Sequence, residues 1–146
     1  MKAEDPFEML LRSHRRLEER LDDLAAARDR DAVEEVAHFF GRAVVRHEAD
    51  EEISLFPRLK GCDAIISALT AEHREHEKLH AELRAVADGW PATQSKLPDL
   101  VSRLRAAYAS HVEREEKELF PAARKQLGDA VLADMLREMD SRRGRS

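Results

Sequence analysis

The sequence predicts an all-α protein, an up-down-up-down four-helix bundle followed by a short C-terminal helix. Three observations lead there. Of 146 residues 38% are charged and only 5% aromatic, a mixture that suits surface-charged helices better than a β-sandwich or barrel. Four stretches place apolar residues in alternating steps of three and four, the stripe that a bundle helix buries. Two eleven-residue segments, HEADEEISLFP at 47–57 and HVEREEKELFP at 111–121, share six identical positions at an offset of 64. A chain of this length forms one domain and buries roughly two thirds of its unfolded surface.

The first helix opens on Asp5-Pro6-Phe7-Glu8, an N-cap, a proline at the first helical position and an acid three residues past the cap. Its stripe runs through Phe7, Leu10, His14, Leu17, Leu21 and Leu24. Asp31 with Glu34 repeats the capping signature, and Val33, Val36, Phe40, Val44, His47 and Glu51 carry the second stripe until Pro57 and Gly61 close it. The third stripe passes through Ile66, Leu69, His73, His76, His80, Leu83 and Ala87 and stops at Gly89-Trp90-Pro91. The fourth starts near Pro98 and runs through Val101, Leu104, Tyr108, His111, Glu115 and Leu119 to Gly128. A last amphipathic piece extends from Asp129 to about Met139, before an arginine-rich tail. Two short connections and one near ten residues suit consecutive antiparallel helices.

The repeat divides the chain into two helical hairpins, about 6–60 and 64–127, with the C-terminal helix and tail at 129–146. The first and third helices match more loosely at an offset of 59, where His14, Glu18 and Leu24 meet His73, Glu77 and Leu83. Neither hairpin can bury both its faces alone, so the halves are expected to pack as one domain.

Composition excludes several functions. A net charge of −5, with acids and bases interspersed, argues against nucleic-acid binding by phosphate neutralisation. The single cysteine, Cys62, excludes an internal disulfide framework and any four-cysteine zinc or iron–sulfur site. Residues Met1 to Leu11 are acidic and lack an apolar leader segment, and no run approaches 18 apolar residues. The expectation is a soluble cytoplasmic domain without membrane contact.

Six of the seven histidines fall on the apolar stripes, where a bundle expects Leu or Ile; His38 alone faces outward. Residues four apart on a helix lie about 40° apart and roughly 6 Å up the axis. His47 with Glu51, and His111 with Glu115, therefore point inward as adjacent pairs, while His14 and His73 enter from the other two helices near the same depth. Burying these groups without partners costs several kcal/mol for each charge. A metal centre removes that cost by making carboxylate and neutral imidazole the preferred states. Imidazole and carboxylate without thiolate suit iron or manganese, and zinc on ligand type alone. Glu51 and Glu115, from opposite hairpins, are placed to bridge two metals, with the four histidines shared two and two and room for a solvent-derived oxo or hydroxo bridge. The open positions left over are what binding of O2 or peroxide requires.

The pattern His14, His47-x-x-x-Glu51, His73, His111-x-x-x-Glu115, each second half running into Glu-x-x-Leu-Phe-Pro, resembles the hemerythrin-like HHE cation-binding domain. The resemblance spans about residues 6–125 and implies a four-helix bundle around a non-haem di-iron centre with two Fe ions. In the oxygen-carrying members one metal takes a further histidine four residues after the third-helix histidine; here that position holds Glu77, which argues against simple oxygen carriage. The arrangement is similar to the H-HxxxE-H-HxxxE branch, which includes catalase-like bacterial proteins and a eukaryotic iron sensor. In that sensor the acid following the second-helix histidine also binds metal; Glu48 occupies that place here and Val112 its repeat. The resemblance thus implies a small diatomic or peroxide ligand. It leaves open a scavenging enzyme and an oxygen, nitric oxide or iron sensor without significant turnover. A structural bundle with a vestigial site is the third reading.

His76 and His80 share the stripe of His73 and stand as extra ligands, a proton relay or pocket lining; Glu77 and Glu18, a step off the stripe, stand as supports behind the ligands or solvated side chains, and less readily as extra ligands. His76-Glu77-Lys78-Leu79-His80 also spells the zinc-protease motif, but Leu83 and Val86 stand where a metzincin needs Gly and His. Glu-x-x-His, the ferritin-like pattern, occurs at Glu35/His38 and Glu77/His80, and the outward His38 spoils the first copy. Phe56 and Phe120 are expected to seal one end of the metal pocket and Trp90 to anchor the crossover loop. Cys62 reads as a small loop residue, and Arg142, Arg143 and Arg145 as a solvated tail.

Overall fold

The computed structural model describes residues 5–145; the first four positions of the acidic N-terminal stretch and Ser146 of the tail lie outside the described residues. Helix α1 (Pro6–Ala25) starts as its sequence predicts. Asp5 accepts a hydrogen bond from the Glu8 N–H at 2.9 Å, and Pro6 sits where its missing N–H costs nothing. The second cap is displaced from its predicted place. Asp29, not Asp31, is the extended N-cap and accepts from the Ala32 N–H at 2.9 Å. Asp31 then lies in the first turn, where its charge favours the helix start, and Glu34 turns away to pair with Arg84.

Helix α2 is a continuous run over 30–58 that changes pitch along its length. It is α-helical over Arg30–Phe39 and Val45–Ala49, widens into π turns at Phe40–Val44 and Asp50–Leu55, and tightens to a 3-10 turn at Phe56–Arg58. Helix α3 (Asp63–Gly89) follows a turn in which Gly61 takes a φ of 72°, a left-handed conformation that favours glycine. After a 3-10 turn at Gln94–Lys96, helix α4 runs over 97–126 with a π turn at Glu115–Leu119, and α5 (Asp129–Arg142) completes the chain. A proline ring inside a helix clashes with the carbonyl four residues back. In each half a π turn ends just ahead of Pro57 or Pro121, where a widened turn relieves that clash. Pro57 ends its helix almost at once, whereas α4 continues past Pro121 to Gln126.

Helices α1 and α3 each pack against α2 and α4, which gives the expected bundle, and α5 lies against α1 and the second π turn of α2. No strand is present among the described residues. The apolar core is split in two. One cluster contains Leu17, Leu21, Leu24, Phe40, Leu83, Leu104 and Tyr108, with Trp90 packed against it from the crossover loop. The other contains Phe7, Leu10, Leu55, Phe56, Leu69, Leu119 and Phe120. Met135 and Met139 of α5 are fully buried in this second cluster, so the C-terminal helix is part of the core. At roughly 1.5–3 kcal/mol for each fully buried large apolar side chain, the two clusters offset the cost of the polar layer between them.

Candidate metal centre

Between the apolar clusters six buried side chains converge: His14 from α1, His47 and Glu51 from α2, His73 from α3, His111 and Glu115 from α4. They form two overlapping groups. Ligand atoms of His14, His47, Glu51 and Glu115 lie within 4.8 Å of one another, and so do those of Glu51, His73, His111 and Glu115. Both glutamates belong to both groups. His14 Nε2 is 2.9 Å from Glu115 Oε1, and His73 Nε2 is 3.0 Å from Glu51 Oε1. His47 Nε2 lies 3.1 Å from Glu51 Oε2, and His111 Nε2 lies 3.3 Å from Glu115 Oε2. Glu51 Oε2 and Glu115 Oε2 nevertheless lack a hydrogen-bond partner, as does His47 Nδ1. Buried polar atoms seldom go unsatisfied, so an orphan oxygen on each shared carboxylate fits a site that takes up a cation.

A second ring orients the first. His14 Nδ1 donates to Glu116 at 2.7 Å and His73 Nδ1 to Glu52 at 2.8 Å. His111 Nδ1 donates to Glu72 at 2.8 Å, and Arg114 and Arg74 hold Glu72 and Glu52 in turn. Carboxylates behind ligating imidazoles fix the ring tautomer and raise the basicity of the inward nitrogen. Phe120 stacks on His14 and Phe56 on His73, with centroids 5.8 and 6.2 Å apart, and this closes one end of the layer. These contacts repeat between the halves, since Glu52/Glu116 and Phe56/Phe120 are each 64 residues apart.

The other end is open. A cavity of about 50 Å³ reaches His14, His47 and His111 and is walled by Leu17, Val44, Val112, Tyr108 and Glu48. Glu48 Oε2 accepts from His76 Nδ1 at 2.9 Å, and the His76 ring stacks on Tyr108 at 4.1 Å. The Tyr108 hydroxyl and His80 Nε2 share a hydrogen bond of 2.6 Å.

The sequence profile of the hemerythrin HHE cation binding domain matches residues 5–123. The chain belongs to that family. A protein of Haemophilus influenzae described as uncharacterized is 29% identical over 124 residues, covering 76% of this chain and 67% of the relative. No solved structure matches the chain.

Electrostatics in this hemerythrin domain follow from burial and from the two carboxylates. Burial alone would lower the His47 pKa, but Glu51 and Glu115 push it up to about 10. His111 meets the same opposition and is pushed up to about 11 by Glu115 and Glu51; His73 is raised too. Burial would raise Glu51, yet His47 and the surrounding hydrogen bonds hold it well below the carboxylate range, and Glu115 is also lowered against burial. Without a metal, protons on the imidazoles therefore supply the positive charge that the carboxylates need. An entering cation must displace them. Behind this ring the direction reverses. Burial, with the charges of His111 and His73, pulls His76 down to about 3, and burial pulls His80 down to about 4. Burial also pushes Glu48 up to about 7.

The structure thus brings together His14, His47, Glu51, His73, His111 and Glu115, and sets His76 and Glu48 behind them. His80 faces Tyr108 instead. Glu77 is exposed beside Arg74, and Glu18 and His38 are exposed as well. The zinc-protease reading of 76–80 loses its geometry, because the two histidines serve different partners and neither joins a metal-holding group among the described residues. The tail is also corrected. Arg142 and Arg143 are not solvated: both bind the buried Asp50, at 2.9 and 2.7 Å, where a carboxylate next to Glu51 would otherwise lie unpaired. Sequence reasoning missed Glu52, Glu72, Glu116 and the polar role of Tyr108. The doubled Glu-Glu at 51–52 and 115–116 was the available signal for two of them.

Proposed function

We propose that this hemerythrin domain holds two iron ions side by side and reacts with O2 or H2O2 as a catalase- or peroxidase-like scavenger. His14 and His47 serve one ion, His73 and His111 the other, and Glu51 and Glu115 bridge them. Manganese or zinc suit the same donors on ligand type alone. The observation that carries this reading is that both glutamates belong to both donor groups, each with an orphan oxygen, beside a cavity. Bound iron supplies open coordination positions and redox steps that no side chain offers. The chain supplies the rest. Leu17, Val44 and Val112 shape a cavity of about 50 Å³, room for a molecule of two or three heavy atoms or for a few waters. At the cavity wall Glu48, whose pKa burial pushes up to about 7, accepts a hydrogen bond from His76 Nδ1 and offers a place for a proton.

A sensor without turnover has one observation in its favour. Asp50, held by Arg142 and Arg143 of the C-terminal segment, adjoins Glu51 in the same π turn, so a change at Glu51 reaches α5 directly. Metal content of protein made in iron-replete medium, with absorption spectra before and after H2O2, separates the readings. Two irons per chain, a near-ultraviolet charge-transfer band and rapid oxygen release are expected. Two irons without oxygen release would select the sensor, and no iron after aerobic and anaerobic loading would sink both.

A further inference from the structure

A second cavity, of about 330 Å³, lies where α1, α2 and the end of α5 meet. Its charged lining residues are Arg12, Arg16, Arg46, Arg143 and Arg145, and no carboxylate lines it among the described residues. This is unexpected in a chain of net charge −5. The ion pairs of Arg143 and Arg145 do not reach Arg16 or Arg46. Arg143 shares Asp50 with Arg142, and Arg145 reaches Asp140 at 3.2 Å. Arg46 is half-buried, and its Nε is buried with no hydrogen-bond partner. Burial, then the charges of Arg143 and Arg42, lower the Arg46 pKa against an opposing pull from Asp50. An adjoining depression shares Arg16 and Arg46 but carries Glu34 and Glu35, so the excess charge is concentrated on the α5 side.

Converging guanidiniums repel one another, and their planar donor forks match the oxygens of tetrahedral oxyanions. The volume lies in the range of small-ligand pockets, roughly 300–1,000 Å³. We propose that this arginine pocket binds a doubly charged phosphate-class anion, either inorganic phosphate or the phosphate end of a small phosphomonoester. Its place differs from the metal centre, although Ser13, Arg16, Arg46 and Arg143 line both this pocket and the cavity above the histidines. An anion seated here stands at the entrance to that cavity.

The test is calorimetric titration of the full-length, metal-loaded protein with orthophosphate and, separately, with glycerol phosphate, while the metal absorption band is followed. One site per chain is expected, with the band unshifted and chloride unable to compete at equal concentration. Tighter binding of glycerol phosphate assigns the pocket to a phosphomonoester; tighter orthophosphate assigns it to the free ion. Arg16→Ser combined with Arg46→Met should weaken binding at least tenfold, and Arg16→Ser alone, at an exposed position, several-fold. Arg103→Ser with Lys125→Ser removes the same charge elsewhere and should leave binding unchanged. Equal loss in both double variants would reduce the effect to net charge and overturn the proposal. So would binding that survives Arg16→Ser with Arg46→Met and shifts the metal band, since the anion would then sit on the metal. No binding heat with either anion would overturn it as well.

Discussion

The two sides of the polar layer share one inner ring and the Glu52/Glu116 and Phe56/Phe120 contacts behind it, and differ in the rest of their surroundings. On the His73/His111 side, Glu52 and Glu72 occupy both outer nitrogens, and Arg74 and Arg114 brace those acids. On the His14/His47 side, Glu116 serves His14, but His47 Nδ1 has no partner, and a cavity takes the place of an acid. The difference traces to single departures from the repeat. Ser13 stands where the other half has Glu72, Leu17 where it has His76, Leu21 where it has His80, Val44 where it has Tyr108, and Glu48 faces Val112 in the opposite sense. The inner ring is close to symmetric and fits a cation. The broken symmetry outside it makes one face a support and the other an entrance.

The largest effect tests the symmetric part. Glu51→Ala and Glu115→Ala should each lower the metal content from two ions to one or none, and to the same extent, by elemental analysis. Two ions retained in either variant would falsify the bridging roles. Next, Glu52→Gln and Glu116→Gln should each weaken metal affinity by about 10–100-fold in competition with a chelator, because each frees the outer nitrogen of one histidine. Unequal losses would show that the outer ring is less symmetric than its contacts.

Filling the entrance tests the asymmetric part. Val112→Phe projects a ring into the cavity and should slow the spectral response to H2O2 at least tenfold while two metals remain bound. Overpacking is expected to cost about 1–3 kcal/mol in urea unfolding. A response at the unchanged rate would move the entrance elsewhere.

Acid–base behaviour sharpens the contrast between inner and outer groups. His47 and His111 have folded pKa values raised to about 10 and 11, so their stabilisation is complete below about pH 6.5 and is lost as pH rises through those values. His80, lowered to about 4, stabilises above about pH 6.5 and loses that contribution as pH falls toward 4. Metal-free protein should therefore melt several degrees lower at pH 10 than at pH 7, while loaded protein should not, its carboxylates being balanced by metal. Melts of both forms from pH 5 to 10.5 check this.

What could be read in the sequence follows the same division. Helical periodicity fixes which face a residue occupies, so the inner ring was legible from His-x-x-x-Glu at 47–51 and 111–115 and from two further histidines on the stripes. Periodicity does not name a partner. Glu72 has no counterpart in the repeat, and Tyr108 looked like an ordinary core aromatic on its stripe. Asp50 meets Arg142 across 92 residues, a pairing that local spacing cannot contain, so the tail read as solvated. The second cap failed for a local reason: Asp29 and Asp31 both suit an N-cap, and the backbone chose the earlier one.

The smallest effect is at Glu138 of α5, the helix that packs Met135 and Met139 into the apolar cluster of Phe56 and Phe120. Two carboxylates, Asp50 and Glu138, take part in fastening it, and their environments predict unequal worth. Asp50 is fully buried against Arg142 and Arg143, so Asp50→Asn leaves two guanidiniums without their carboxylate and should cost about 3–5 kcal/mol. Glu138 is held down to about 2 by Arg58 and by Ser54, which places its stabilisation above about pH 4.5, lost as pH falls through 2. Its side chain is 40% exposed, however, so solvent screens the pair. Glu138→Gln should accordingly change urea stability by less than about 1 kcal/mol at pH 7. A cost near that of Asp50→Asn would mean that Glu138, which shares Ser54 with Arg142, is bound into the buried Asp50 network.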